Sequence, residues 1–250
     1  MPMRLFVDTP LAAGTELALP PGAARHAQVR RVQPGDPLRL FDGSGSDWPA
    51  TVLAMGRSEV RVRVGTPQAV AGELPLAVTL ALGMPANERM DTLVEKASEL
   101  GVAAIQPLVT QRSVLRLAGE RAQRKQAHWQ AIAVAACEQC GRARVPVVAP
   151  VRELADWLPQ AGAGHAAGLR LVLSLQPDAA ALPALRWAGT DQVLTLSGPE
   201  GGLTPDEEAA ARAAGFLPAA LGPRVLRADT APLAVLAWLG LAGVAAAPAA

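Results

Sequence analysis

Leu194-Thr-Leu-Ser-Gly-Pro-Glu-Gly-Gly-Leu-Thr-Pro-Asp-Glu-Glu208 is the stretch on which the fold turns. A short apolar run ends in a turn built from Gly198, Pro199, Gly201 and Gly202, and a helix start follows. Thr204 is placed to be the N-cap, Pro205 suits the first helical position, and Glu207, three after the cap, can close a capping box. Strand, glycine turn, helix is the layout by which an α/β protein brings bare backbone to a ligand at the carboxyl end of a strand. Glycines there permit close approach or positive φ. The stretch alone fits two readings, a plain tight connection and a ligand site.

Upstream and downstream, the pattern is strand alternating with helix. Leu76–Leu82 is a continuous apolar run, as expected of a strand covered on both faces. Asn87 is placed to cap a helix whose Met90, Leu93, Val94, Ala97 and Leu100 share one face, closed by Gly101. Further strands are expected at 102–109, 145–148, 169–175, 192–196 and 217–221, and helices at 121–140, 152–160, 204–214 and 230–246. This alternation predicts a parallel α/β sheet. The strand at 217–221 ends in a second unusual turn, Leu221-Gly-Pro-Arg-Val-Leu-Arg-Ala-Asp-Thr230. Two such turns at neighbouring strand ends would line a pocket with backbone N–H and C=O groups, which suits a nucleoside-bearing cofactor.

Residues 1–70 differ. Short runs at 4–7, 37–41, 50–55 and 59–64 are bounded by Gly, Pro and Asp, with clear alternation in Val60-Arg-Val-Arg-Val64. One or two helical turns are expected at 24–32. A small β-rich domain is predicted here, joined by a linker at 65–75 to a second domain over 74–250. Arg25, His26, Arg30 and Arg31 would lie on its surface, and small barrels often bind nucleic acid through such loops.

Composition narrows the function. Of 250 residues half are hydrophobic but only five Trp and three Phe are aromatic, so the core must be Ala/Val/Leu packing. The net charge is +1, yet residues 110–145 carry seven basic and two acidic side chains, while 151–250 carry six basic and nine acidic. One positive face for a polyanion is the functional reading of that asymmetry, a solvated helix face the plain one. The N-terminus shows no basic region followed by an apolar segment, so a cytoplasmic protein is expected. Residues 231–250 carry no charge but are rich in Ala and Gly and include Pro232 and Pro248, so a helix buried in protein is expected, not a membrane span. Cys137 and Cys140 form a C-x-x-C inside a helix-like run; without a second pair they do not make a structural zinc site, and they read as small helix-filling residues. No metal is expected, His26, His128 and His165 being scattered. The Walker loop, the G-x-G-x-x-G fingerprint and the G-x-S-x-G elbow are all absent.

Taken together, Gly198-Pro-Glu-Gly-Gly202 and Leu221-Gly-Pro-Arg-Val-Leu-Arg227 resemble the C-terminal motifs of the ribosomal RNA small subunit methyltransferase E family, a SPOUT-class group dependent on S-adenosylmethionine. Lys96-Ala-Ser-Glu-Leu-Gly-Val102, Glu138-Gln-Cys-Gly-Arg142 with Val145-Pro146, and His26-Ala-Gln-Val-Arg-Arg31 with Gly35-Asp36 and Phe41-Asp-Gly43 resemble its earlier blocks, in order. Arg30 stands where the family usually has an apolar residue, and Asp229-Thr230 where it has Glu-Thr. The resemblance implies a PUA-like β-barrel, a parallel α/β domain with a trefoil knot, a homodimer, and methylation of uridine N3 in 16S ribosomal RNA of the small subunit. It implies cofactor contacts from Ser197, Gly198, Pro199, Glu200, Gly201, Gly202, Leu221, Gly222, Arg224, Val225 and Leu226. By motif position, Arg142, Arg224 and Arg227 are candidates to stabilise the uridine anion and Glu138 or Glu200 to take its proton, though solvent could serve. Arg112 and Arg116 join Arg25, His26, Arg30 and Arg31 as candidate RNA contacts. The alternatives are a non-catalytic RNA-binding protein, or a SPOUT methyltransferase acting on transfer RNA or another ribosomal site.

Overall fold

The computed structural model describes residues 2–57, 59–86, 88–161, 168–185 and 190–246, with side chains to residue 241. Asn87 and His165 lie outside the described residues. The chain forms two compact units, Met1–Glu73 with Val134–Val145, and Leu74–Ala133 with Pro146–Ala250.

The first unit contains β1 (Met3–Phe6), β2 (Glu16–Ala18), α1 (Pro21–Val29), β3 (Pro37–Phe41), β4 (Ser46–Met55), β5 (Val60–Val64) and β6 (Gln68–Ala69). Its described strands make one six-stranded sheet in the order β1-β3-β4-β5-β2, with β6 against β4. The alternation in β5 is realised directly: Val60, Val62 and Val64 are buried, while Arg61 and Arg63 turn outward to Glu16. α1 begins and ends three residues before the expected 24–32, with Pro21 at its start. Arg31 just beyond it takes φ 56°, a conformation that side chains other than Gly rarely adopt.

The second unit runs β7 (Ala77–Gly83), α2 (Glu88–Glu99), β8 (Ala104–Val109), α3 (Gly119–Cys140), β9 (Val147–Val148), β10 (Arg152–Glu153), α4 (Leu154–Trp157), β11 (Leu169–Leu173), β12 (Ala180–Ala181), β13 (Gln192–Ser197), α5 (Pro205–Ala213), β14 (Leu217–Ala220) and α6 (Thr230–Ala246). The last turns of α3, from residue 134, belong to the first unit. The sheet order is β10-β8-β7-β13-β11-β14-β12, with β9 beside β8. Every pairing in it is parallel, as the strand–helix alternation requires.

Packing follows the apolar pattern. Met90, Leu93, Val94 and Ala97 of α2 are fully buried in one cluster with Trp129 of α3 and Val78, Leu80 and Leu82 of β7. Leu100, expected on the same face, lies past the helix end and is 37% exposed. Gly101 at φ 95° turns the chain there, so β8 begins at Ala104, later than expected. Val235, Leu236 and Leu239 of α6 are buried, but Leu241 is 78% exposed, so within the described chain this helix is not covered all round. Among the described residues no helix is long and apolar enough to cross a membrane.

Candidate active site

Parallel pairing sets the carboxyl ends of four strands side by side. Leu82 of β7 pairs with Ser197 of β13, Val172 of β11 with Leu196, and Leu173 with Ala219 of β14. A cavity of about 600 Å³ opens at these ends. Its walls are residues 197–202 after β13, Leu221 and residues 224–228 after β14, and Leu173, Ser174 and Leu175 after β11, with Arg89 of α2 and Ala231 of α6. Of the eleven expected cofactor positions, Gly222 alone does not line it; at φ 102° it shapes the second turn.

The glycines of the first turn serve different ends. A Cβ on Gly198 would lie 2.5 Å from Gly202 C and from Leu203 N, so the turn can close only over a bare Cα. Gly202 takes φ 69°, and its N–H donates to the Pro199 carbonyl at 2.8 Å. A Cβ on Gly201 would meet the Arg112 side chain at 3.0 Å. Gly83, at the end of β7, also matters: a Cβ there would fall 2.5 Å from Pro199 Cδ.

Three ties hold this turn. Thr204 and Glu207 form the expected capping box, Glu207 N–H donating to Thr204 Oγ1 at 3.2 Å and Thr204 N–H to Glu207 Oε2 at 2.9 Å. Glu207 Oε1 also accepts the Gln111 N–H at 2.8 Å. Arg112, a candidate RNA contact, is exposed and donates from Nη1 to the carbonyls of Gly201 (2.8 Å) and Leu203 (3.2 Å). Arg116 donates to the Gln111 carbonyl at 3.0 Å.

Glu200, a candidate both for cofactor contact and for taking the proton, accepts the Ala86 N–H and Arg89 Nη1, each at 3.1 Å. Burial works to raise this carboxyl, but the backbone N–H groups of Ala86 and Glu200 and the Arg89 charge outweigh it and hold the group below its ordinary value. It is therefore an ionised tie between the turn and the loop after β7, poorly suited to accept a proton.

The wall after β11 was missed in the sequence. Ser174 donates to Glu208 Oε1 at 2.6 Å and accepts the Gln176 N–H at 3.1 Å. Arg212 donates to Glu208 at 3.0 Å and to both oxygens of Asp178 at 2.6 and 3.0 Å. β11 ends two residues before the expected Leu175, which leaves that residue on the cavity wall.

Two polar atoms at the site lack partners. Ser197 lines the cavity at 3% exposure and its hydroxyl makes no hydrogen bond; Asp229 Oδ1, next in sequence to the lining residue Ala228, is likewise buried and unpaired. Buried polar atoms are nearly always satisfied, so orphans at a cavity wall point to a polar ligand. Volume, bare backbone, flanking leucines and an orphan hydroxyl together fit an adenine nucleoside. Arg224 and Arg227 are exposed on the same wall, and their side chains make no hydrogen bond or ion pair among the described residues.

Arg142 and Glu138 stand elsewhere. Both belong to the first unit and neither lines the cavity. Arg142, 7% exposed, donates from Nε and Nη2 to Glu73 Oε2 at 3.0 and 2.8 Å. Glu138 accepts the Phe6 N–H at 3.0 Å, and its other oxygen faces His26 Nδ1 at 3.5 Å. Arg25, Arg30 and Arg31 are exposed at α1, where Gln28 donates to the carbonyls of Gly56 and Arg57.

Residues 72–240 match the family model of the RNA methyltransferase domain, and residues 19–65 that of the RNA methyltransferase PUA domain. The chain is 34% identical over 214 residues to ribosomal RNA small subunit methyltransferase E of Synechocystis, spanning 85% of this chain and 68% of that one. It is 31% identical over 240 residues to the Mycobacterium bovis protein of the same name, spanning 96% and 91%. The crystal structure of the Neisseria gonorrhoeae enzyme of that name, bound to S-adenosyl methionine, superposes with a TM-score of 0.89 at 33% identity, covering 97% of this chain and 98% of that one. With the α/β sheet, its glycine-lined cavity and the PUA domain, these likenesses establish that the chain belongs to the ribosomal RNA small subunit methyltransferase E family.

Proposed function

We propose that this protein transfers the methyl group of S-adenosylmethionine to N3 of a uridine in 16S ribosomal RNA, with the cofactor seated in the cavity at the ends of β13, β11 and β14. The observation that carries this reading is the convergence of two glycine turns and an orphan Ser197 hydroxyl on one cavity. Backbone groups of residues 197–202 and 221–226 would hold adenine and ribose, and the Ser197 hydroxyl would find its partner there. When bound, the cofactor supplies an electrophilic methyl on a sulfonium.

The protein's own work is to bring the uridine in line and favour its anion. N3 carries an imide proton and is a poor nucleophile until that proton leaves. Positioning should supply much of the rate. A guanidinium, always charged and offering a fork of donors, suits the oxygens flanking N3. Arg142 has its fork committed to Glu73, so Arg224 and Arg227 are the candidates for that role. Glu138 and Glu200 are each committed to backbone N–H groups, which favours solvent as the proton acceptor.

The first unit would hold RNA through Arg25, Arg30 and Arg31, with His26 beside them. Exposed Leu241 on a helix without charges supports burial against a second copy, hence a homodimer. An enzyme of this kind would work in the cytoplasm, where ribosomes are assembled.

The test is mass spectrometry of RNA after the protein and S-adenosylmethionine are incubated with small subunits from a strain lacking the enzyme. A new methyl on N3 of a 16S uridine is expected. Methylated transfer RNA in its place, or no binding of S-adenosylmethionine by calorimetry, would overturn the reading.

A further inference from the structure

Cys137 and Cys140 occupy the last turn of α3, in the part of the helix that belongs to the first unit. The sequence reading treats them as helix filler. Their surroundings say more. Cys137 is buried and Cys140 is exposed. Three helical steps put two Cα atoms about 5 Å apart, inside the range of roughly 4.4–6.8 Å that a disulfide spans. The Cys137 thiol donates to the Arg144 carbonyl oxygen at 3.6 Å.

The charges around the pair are set by three elements. Arg4 of β1 donates to the Cys137 carbonyl at 2.7 Å and to the Arg142 carbonyl at 3.1 Å. Arg142 follows on the loop. The cations are themselves paired, Arg4 with Asp47 at 2.6 Å and Arg142 with Glu73 at 2.8 Å, while Glu73 also receives the Arg144 N–H and Glu138 receives the Phe6 N–H and faces His26. The hydrogen bond from Cys137 first, then the Arg142 N–H and the Arg142 and Arg4 charges, hold Cys140 down to about 6 against the cost of burial. The Cys137 thiol is pushed up by the same hydrogen bond and by its own burial.

We propose that Cys140 and Cys137 form a peroxide-oxidisable dithiol, in which exposed Cys140 is oxidised first and buried Cys137 resolves it to an intrahelical disulfide. The Cys140 thiolate attacks one oxygen of a hydroperoxide. An S–O bond forms, the O–O bond breaks, and the other oxygen leaves as hydroxide or alkoxide that takes a proton from water. Cys140 is thereby oxidised to the sulfenic acid and the peroxide reduced. Cys137 sulfur then attacks the Cys140 sulfur; the S–S bond forms, the S–O bond breaks, and the departing hydroxide leaves as water with the Cys137 proton.

The helix end is built to yield. Cβ atoms three apart on a helix stand about 5–6 Å from each other, and a disulfide needs about 3.8 Å, so the last turn must tighten. Gly141, at φ 92° directly after Cys140, ends the helix, and its N–H caps the Cys137 carbonyl at 3.2 Å. The proposal concerns the first unit alone and does not depend on methyl transfer.

The experiment uses the full reduced chain. Alkylation of Cys140 by iodoacetamide, followed across pH by peptide mass spectrometry, should rise with a midpoint near 6. A midpoint at the ordinary thiol value of roughly 8.5 would overturn the proposal. Disulfide formation is the decisive reading, because about 30-fold more thiolate at pH 7 is largely offset by the lower nucleophilicity of a low-pKa thiolate, leaving a net gain of only about threefold in rate. A few equivalents of hydrogen peroxide should remove two mass units from the wild-type chain, mapped to one peptide and reversed by dithiothreitol. C137S should instead gain one dimedone adduct on Cys140. C140S should react at least threefold more slowly than C137S. A wild-type chain left unmodified, or C140S oxidised as fast as C137S, would overturn it.

Discussion

Replacing Gly198 by alanine tests the cavity wall directly. The added methyl would sit 2.5 Å from Gly202 C, 2.5 Å from Leu203 N and 2.8 Å from Gly202 Cα. Relaxed carbon contacts lie at about 3.5–4.0 Å, so roughly 1 Å of relief is needed. None of these neighbours is a flexible side chain. Gly202 is held by its bond to Pro199, and Leu203 leads straight into the capping box of Thr204 and Glu207. Overpacking costs about 1–3 kcal/mol where side chains can shift, and here the upper end applies. If that strain is relieved by opening the turn, about 2–3 kcal/mol of binding is lost, or roughly 30–150-fold in Kd. The controls sharpen the reading. Gly202→Ala meets nothing within 4 Å but is strained at φ 69°, a cost of about 1–2 kcal/mol. Gly201→Ala presses only on the Arg112 side chain at 3.0 Å and should cost least. Calorimetric titration with S-adenosylhomocysteine, paired with thermal melting, should rank the losses Gly198, Gly202, Gly201. A Gly198→Ala protein with wild-type Kd and Tm would refute the reasoning, as would Gly201→Ala costing as much.

Arg112→Ala removes both bonds to the glycine-turn carbonyls; because the side chain is exposed, about 1 kcal/mol and a roughly fivefold weaker cofactor Kd are expected by calorimetry. Arg212→Ala frees Asp178 and leaves Glu208 with Ser174 alone, so cofactor binding should weaken several-fold while Arg212→Lys recovers part of the loss. Glu200 is held below its ordinary value of 4.5, so its contribution is full above that pH and lost as pH falls through the lowered value. The Tm advantage of wild type over Glu200→Gln should therefore hold from pH 7 to about 5 and shrink below 4.5. Arg224→Ala and Arg227→Ala, on the wall with side chains that make no hydrogen bond or ion pair among the described residues, should lower kcat by at least tenfold in one of the two while leaving folding and Tm unchanged.

The legible parts of the chain were those written in local pattern. The capping box at Thr204 and Glu207, the buried face of α2 and the apolar runs of β7, β8 and β13 each depend on neighbours within a few residues. What escaped depends on pairing across the sheet. Nothing in Ser174-Leu-Gln-Pro177 marks a binding wall; it becomes one because β11 runs beside β13 and β14 in matching register. β10 and β12, two residues each, are too short to show periodicity. Arg112 and Arg142 were placed by charge and motif position, whereas their partners, Gly201 and Glu73, lie 89 and 69 residues away. Charge run and motif gave no sign of those contacts.

α5 has a consequence of its own. Its first turn is fastened to the glycine turn through Thr204, and one turn later Glu208 receives the serine of the wall after β11. Four helical steps, about 6 Å of rise, therefore act as a gauge block between two sides of the cleft. The opening is calibrated by the pitch of a helix, a length no single side-chain change alters. An inserted or deleted residue between positions 204 and 208 would swing Glu208 through about 100° and uncouple the two sides at once. Variation in what the cleft admits then falls to the third side, the turn after β14, where Val225 stands 78% exposed.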